Sequence, residues 1–181
     1  MLSRHERAIA KRAVLFWHRR KWRVHALTVM PDHVRLLPTP LQARKDRWYA
    51  LAEILHSVKR RSSRSINASR GRRGSLWQGE SGFDRIVRDE KEFHEKFDYI
   101  LNNAVLRGLA TDPWEYDGFW CESMESLLEL PQIPLDTPDE GHVWPRLQAG
   151  DFVTYRRRLP HWQVGGSTYF VTFRLEAPEA G

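Results

Sequence analysis

The chain has 181 residues with 29 Lys and Arg against 23 Asp and Glu, a net charge of +6, which allows one well-cored domain plus an appended segment. Its single cysteine, Cys121, excludes an internal disulfide and a Cys-rich metal cluster. With no signal peptide and no run apolar enough to cross a membrane, a cytoplasmic protein is expected. Charge is unevenly spread: residues 1–80 hold 19 basic and 5 acidic side chains, a balance of +14, and the remainder carries −8, so the first half is suited to a polyanion.

Ser3 to Lys21 reads as a basic amphipathic helix, with Ile9, Ala13, Val14, Leu15 and Trp17 apolar and a capping signal in Ser3 followed by Glu6. From Trp22 the chain is rich in β-branched and apolar residues up to Met30. Pro31-Asp32 then punctuates it before His33-Val34-Arg35-Leu36-Leu37, the pattern of a β-hairpin. Alternation places His33, Arg35 and Leu37 on one face of the second strand. A His-x-His strand aims two imidazoles at one ion, but here the second position is a guanidinium, which cannot ligate a metal. Taken alone, one histidine on a strand is more often hydrogen-bonded than metal-bound.

Pro38 to Arg47 is expected to be a loop, and Trp48 to about Ile66 a helix with Leu51, Ile54, Leu55 and Val58 inward, ended by Gly71-Arg72-Arg73-Gly74. An extended stretch follows from Ser75 to Val87. Asp89 to about Gly108 gives the clearest helix, with Phe93, Phe97, Ile100 and Ala104 on one face and Tyr99 and Asn103 four residues apart on another. A tyrosine hydroxyl can attack a phosphodiester, and an Asn oxygen can complete a hard-cation site. The plainer alternative has Tyr99 at the core's edge and Asn103 near a helix end. Residues 121–150, rich in Glu, Pro and Asp, read as a linker, and residues 151–181 as a basic arm, a Gly165-Gly166 turn and a strand over Thr168 to Leu175.

Basic and aromatic side chains form two groups. Lys59, Arg60, Arg61, Arg64, Arg70, Arg72 and Arg73 are flanked by Trp77 and Gln78, while Arg156, Arg157 and Arg158 adjoin His161 and Trp162. Guanidiniums for phosphates and aromatic faces for unpaired bases are what single-stranded or hairpin DNA requires.

The pieces Val29-Met30-Pro31-Asp32-His33-Val34-x-Leu36-Leu37, Ile54-Leu55-His56-Ser57-Val58-Lys59, Gly71-Arg72-Arg73-Gly74-x-x-Trp77-Gln78 and Tyr99-Ile100-Leu101-x-Asn103-x-Val105-x-x-Gly108-Leu109 come in this order. Together they resemble the REP-associated tyrosine transposases of the single-tyrosine HUH superfamily, over residues 1 to about 120. The resemblance implies an α+β fold, a ferredoxin-like antiparallel sheet with helices packed on one face. It implies single-strand cleavage and rejoining through a 5'-phosphotyrosine beside a repetitive extragenic palindrome, with Mg or Mn as cofactor. Matched by position, Tyr99 is the nucleophile, His33 the first metal-ligand histidine and Asn103 the helix ligand; Arg35 stands where the second histidine belongs and Ala104 where a proline is usual. His25 on the neighbouring strand is a candidate substitute ligand.

The segment from Tyr155 through the strand ending at Leu175 resembles one that stands first in the family, so the sequence looks circularly permuted. Residues 1–120 would then leave a gap in the sheet, to be filled by Ser167 to Leu175 within the chain or across a strand-exchanged homodimer. Two functions remain open: a metal-dependent transposase, or a hairpin-binding protein whose cleavage is disabled by Arg35.

Overall fold

The computed structural model describes residues 1–79, 83–122, 152–155 and 161–176. Helix α1, Arg4–Leu15, opens with the capping box: Ser3 Oγ accepts from Glu6 N at 3.3 Å and Glu6 Oε2 accepts from Ser3 N at 2.7 Å. It stops six residues short of Lys21. Residues 16–21 turn instead, through a left-handed Arg19 (φ 58°) whose N–H donates to Trp22 O, and deliver the chain into β1, Trp22–Val29. Strand β2, His33–Pro40, returns antiparallel to β1 with Val29 opposite Val34 and Thr28 opposite Arg35. The expected loop after Pro38 is in part a small hairpin, β3 (Gln42–Arg44) with β4 (Arg47–Trp48), turning at a left-handed Asp46. Helix α2, Leu51–Ser69, buries Leu51, Ile54, Leu55, Val58 and Ile66. Strand β5 is Phe83–Ile86; helix α3 is Glu90–Leu101, capped by Asp89; a single turn, α4, is Asn103–Leu106. After a 3-10 turn at Pro113–Glu115 come β6, Phe119–Cys121, then β7, Phe152–Tyr155, β8, His161–Val164, and β9, Tyr169–Arg174.

Five strands form one antiparallel sheet in the order β5-β9-β2-β1-β6, while β7 and β8 pair with each other. The carboxyl-terminal strand thus occupies the interior place between β2 and β5 of its own chain, with His33 opposite Arg174 and Arg35 opposite Thr172 on one side and Phe83 opposite Thr172 on the other. With β9 counted first, the four strands β5-β9-β2-β1 have the order of a ferredoxin-like sheet, and β6 is an added edge. The fold is α+β.

One expectation needs correcting. Helices α1 and α2 do share a face, packed on Trp22, Val24, Leu27, Val34, Leu36, Val171 and Phe173. Helix α3 covers the opposite face, where Ile100 and Ala104 meet Ala26, Met30, Leu37, Phe119 and Phe170. The α1 and α2 side of β1, β2 and β9 is apolar throughout, while the other side is mixed, with Ala26, Leu37 and Phe170 among polar residues forming the apolar patch that α3 covers.

The described amino-terminal part also runs past residue 120. Glu122, 4% exposed, is held by Arg23 Nε at 2.6 Å and Arg19 Nη2 at 2.9 Å, with His18 Nε2 at 3.6 Å. Burial alone would raise its carboxyl, but these partners outweigh that and hold it below the usual carboxylate range. No helix among the described residues is long and apolar enough to cross a membrane.

Candidate nucleic-acid interface

The α3 face of β2 carries the chemistry. His33 is 1% exposed, and its Nδ1 lies 2.6 Å from Asp32 Oδ1. An ionised carboxylate only accepts, so the proton sits on Nδ1 and Nε2 presents a lone pair in the neutral ring. Burial pulls the His33 pKa down against the pull of Asp32, and Arg35 and Arg174 add to the depression. The Nε2 atom is buried without a partner among the described residues, and so are Arg35 Nε and Asn103 Oδ1.

Two residues along the strand, Arg35 Cζ lies 4.4 Å from the centre of the Tyr99 ring, a cation–π contact. Tyr99 is 40% exposed, with its ring tilted against Phe170 at 6.0 Å, so it is neither a core residue nor free of the surface. Burial lowers the Arg35 pKa, and although Tyr99 and Asp32 oppose this, the charges of Arg174 and Arg107 reinforce it. Arg35 thus sits on the Tyr99 ring while the charges of Arg107 and Arg174 act on it.

Tyr99 of α3 lies over Arg35, and the charge of Arg107, just past α4, acts on the Asp32 carboxyl beside His33. Asn103 is 3% exposed, but it does not continue the Tyr99 helix: α3 ends at Leu101, Asn102 caps it, and α4 begins at Asn103. The chain leaves α4 through a left-handed Gly108, φ +66°, as glycine permits.

The donor set can be tested against Mg or Mn. His33 Nε2 and Asn103 Oδ1 are two neutral donors, and the third place is taken by a permanent cation with two more cations nearby. Hard dications favour several oxygens, carboxylates among them, and here the one carboxylate acting on the cluster, Asp32, is already engaged by His33. A divalent cation does not fit; a phosphate anion does. Among the described residues no three His, Cys, Asp or Glu side chains gather.

His25 is no substitute ligand. Its Nε2 bonds Thr39 Oγ1 at 2.8 Å and its ring packs on Phe93 near the far end of β2, roughly 15 Å of strand from His33. Burial drives its pKa to about 4, so it folds neutral. The unfolded ring titrates near 6.5 and binds the extra proton between those values, so stability falls as pH drops from 6.5 towards 4. The fall attributable to this group is about 3 kcal/mol at most. Urea midpoints of wild type and His25→Gln at pH 7 and pH 4.5 should show a clearly smaller acid drop in the variant; equal drops would clear His25 of the effect.

The sequence-derived basic groups separate on inspection. Trp77, 3% exposed, is a core residue: its Nε1 donates to Ser62 Oγ at 2.9 Å and its ring meets Phe173 edge-on at 4.9 Å, so it is not a base-stacking platform. Gln78 N donates to Arg174 O and Lys59 Nζ donates to Gln78 O, which makes both part of the seam beside β9. Arg70 is engaged by Glu6 at 2.5 Å, and the same ion pair holds the Glu6 carboxyl down at about 2.

Arg72 and Arg73 are exposed at the turn after α2. Arg60, Arg61 and Arg64 do share a groove, with Phe16 and Trp17 of the segment that ends α1, and Arg61 Cζ stacks 4.1 Å over Phe16. This groove is on the α1 and α2 side, opposite Tyr99.

Arg156, Arg157 and Arg158 lie outside the described residues; His161 and Trp162 fall on β8, opposite Tyr155 and Thr154. Sequence reasoning did not reach Asp32, Arg107 and Arg174 at the first site or Phe16 and Trp17 at the second. The adjacency of Asp32 to His33, and of Arg107 to Tyr99 at two helical turns, were the available signals. Comparison with family models, with curated proteins and with solved structures finds no match for this chain.

Proposed function

We propose that the chain binds single-stranded or hairpin DNA as a tyrosine transposase-like protein in which recognition has outlasted cleavage. The observation that carries this reading is the Arg35 guanidinium stacked on Tyr99 at 4.4 Å: the nucleophile's partner is a cation suited to phosphate and unable to ligate a metal. The resemblance supplies the substrate class, a palindromic hairpin with a single-stranded flank. The arginine and aromatic groove of Phe16, Trp17, Arg60, Arg61 and Arg64 suits backbone phosphates and unpaired bases, and adds affinity without sequence preference. A Mg- or Mn-dependent single-strand transferase using Tyr99 is the second reading; the buried, unpartnered His33 Nε2 and Asn103 Oδ1 are two donors in its favour, against the cation at Arg35.

Fluorescence anisotropy with a labelled hairpin bearing a single-stranded flank tests the binding reading. The hairpin should bind more tightly than a blunt duplex of the same length, and affinity should fall steeply with salt. Replacing Arg60, Arg61 and Arg64 together by Gln should lower the slope of log affinity against log salt by about 2, since each single-strand phosphate contact contributes roughly 0.7. An unchanged slope would remove the groove from the interface, and equal affinity for blunt duplex would remove the single strand as the target.

A further inference from the structure

The Tyr99 face holds an excess of positive charge that its own surroundings do not neutralise. Arg35 is half-buried between Thr28 of β1 and Thr172 of β9, and its Nε has no partner among the described residues. Arg107 from the end of α4 and Arg174 from the end of β9 both press their charge on it. The carboxylate that acts on this cluster, Asp32, already accepts from His33 at 2.6 Å. Two further polar atoms, His33 Nε2 two residues along the strand from Arg35 and Asn103 Oδ1 at the start of α4, are buried and unpartnered among the described residues. Burying a guanidinium with an open N–H is costly, and the cost is recovered when an anion meets that N–H.

We propose that Arg35, Arg107 and Arg174 around Tyr99 form a phosphate subsite that takes one backbone phosphodiester of a DNA strand without any divalent cation. This rests on the reading of the chain as a single-strand DNA binder. The Arg35 fork donates to the non-bridging oxygens, the outer two arginines neutralise the flanking charge, and the Tyr99 ring holds the Arg35 plane in place. Tyr99, 40% exposed, leaves part of its ring open to an adjoining base. The guanidinium supplies permanently the positive charge that a metal would supply on loan.

The test uses the full chain and a fluorescein-labelled hairpin oligonucleotide with a single-stranded flank, titrated in EDTA and in Mg at matched ionic strength. The two dissociation constants should agree within about threefold. Arg35→Gln should weaken binding roughly tenfold, the loss of one charge-assisted contact, and adding Mg or Mn should not restore it. Arg107→Gln, at an exposed position, should weaken it less, and serves if Arg35→Gln does not fold. Tight binding only with Mg or Mn, or wild-type affinity in both variants, would overturn the proposal.

Calorimetry with inorganic pyrophosphate separates the subsite from the DNA reading. Pyrophosphate binding lost in Arg35→Gln, with no DNA binding by wild type, would keep the anion subsite and sink the DNA reading. DNA binding indifferent to Arg35→Gln would sink the subsite alone. Neither ligand bound would sink both.

Discussion

A chain cut at residue 150 will not fold. The truncation removes β9, which pairs with β2 from His33 to Leu36 and with β5 from Phe83 to Ile86, so both neighbours lose a backbone ladder. Strand β5 has no other neighbour in the sheet. Tyr169, Phe170, Val171 and Phe173 leave both cores at once, and Trp77 loses the ring it packs on. At about 1.5–3 kcal/mol for each large apolar side chain, roughly 6–12 kcal/mol of burial disappears, comparable with the whole stability of a typical domain.

Unpaired N–H and C=O groups along the interior edge add to the loss. Residues 1–150 should therefore show no cooperative urea transition by circular dichroism, and Phe173→Ala in the full chain should cost about 3–5 kcal/mol. A truncated protein that unfolds cooperatively at the wild-type midpoint would mean that β9 is dispensable, and the sheet order described above would be wrong.

The interior place of β9 is also what completes the Tyr99 face. Arg174 stands opposite His33 only because β9 lies beside β2, and Phe170 supports the Tyr99 ring from the same strand. Folding and the proposed phosphate recognition thus depend on one carboxyl-terminal segment. If residues 155–175 arose by transposition from an amino-terminal position, the permutation kept both roles together.

Several elements were legible in the residues. The Ser3 and Glu6 cap, the hairpin around Pro31-Asp32, the α2 stripe from Leu51 to Val58 and the alternating strand from Tyr169 onward all carry local signals whose period matches the structure. The need for β9 in the interior followed from the resemblance, whose ferredoxin-like sheet has its first strand in a central place. What was not legible is long-range. Strand β6 is three residues long and shows no period, and its pairing with β1 depends on Glu122 finding Arg19 and Arg23 about a hundred residues away.

The side of the sheet that α3 would take could not be read from α3 itself, whose apolar face fits either. Trp77 sits among arginines in sequence but is drawn inward by Ser62 and Phe173, which a composition-based reading of that stretch misplaces. At the candidate site it was the resemblance, matched by position, that pointed to His33, Arg35, Tyr99 and Asn103. That Arg35 and Tyr99 touch, and that Arg107 and Arg174 join them, required the sheet.

The consequence for chemistry is an all-or-none expectation. A tyrosine nucleophile needs the charge on the scissile phosphate offset and the leaving oxygen stabilised as the bond breaks. In the proposed subsite the guanidinium stacked on the Tyr99 ring binds phosphate already in the ground state, and binding that is equal in ground and transition states adds affinity without rate. It also occupies the position that the resemblance gives to a ligand, so restoring histidine there changes both the charge and the donor count together.

The direct measurement is the covalent protein–DNA adduct formed on a labelled hairpin with a single-stranded flank in Mn, resolved on a denaturing gel for wild type, Arg35→His and Arg35→His combined with Tyr99→Phe. The account predicts no adduct for wild type despite tight binding, an adduct for Arg35→His, and none once Tyr99 is also replaced. An adduct formed by wild type and abolished by Tyr99→Phe would contradict it, because the guanidinium would then be part of a working cleavage site.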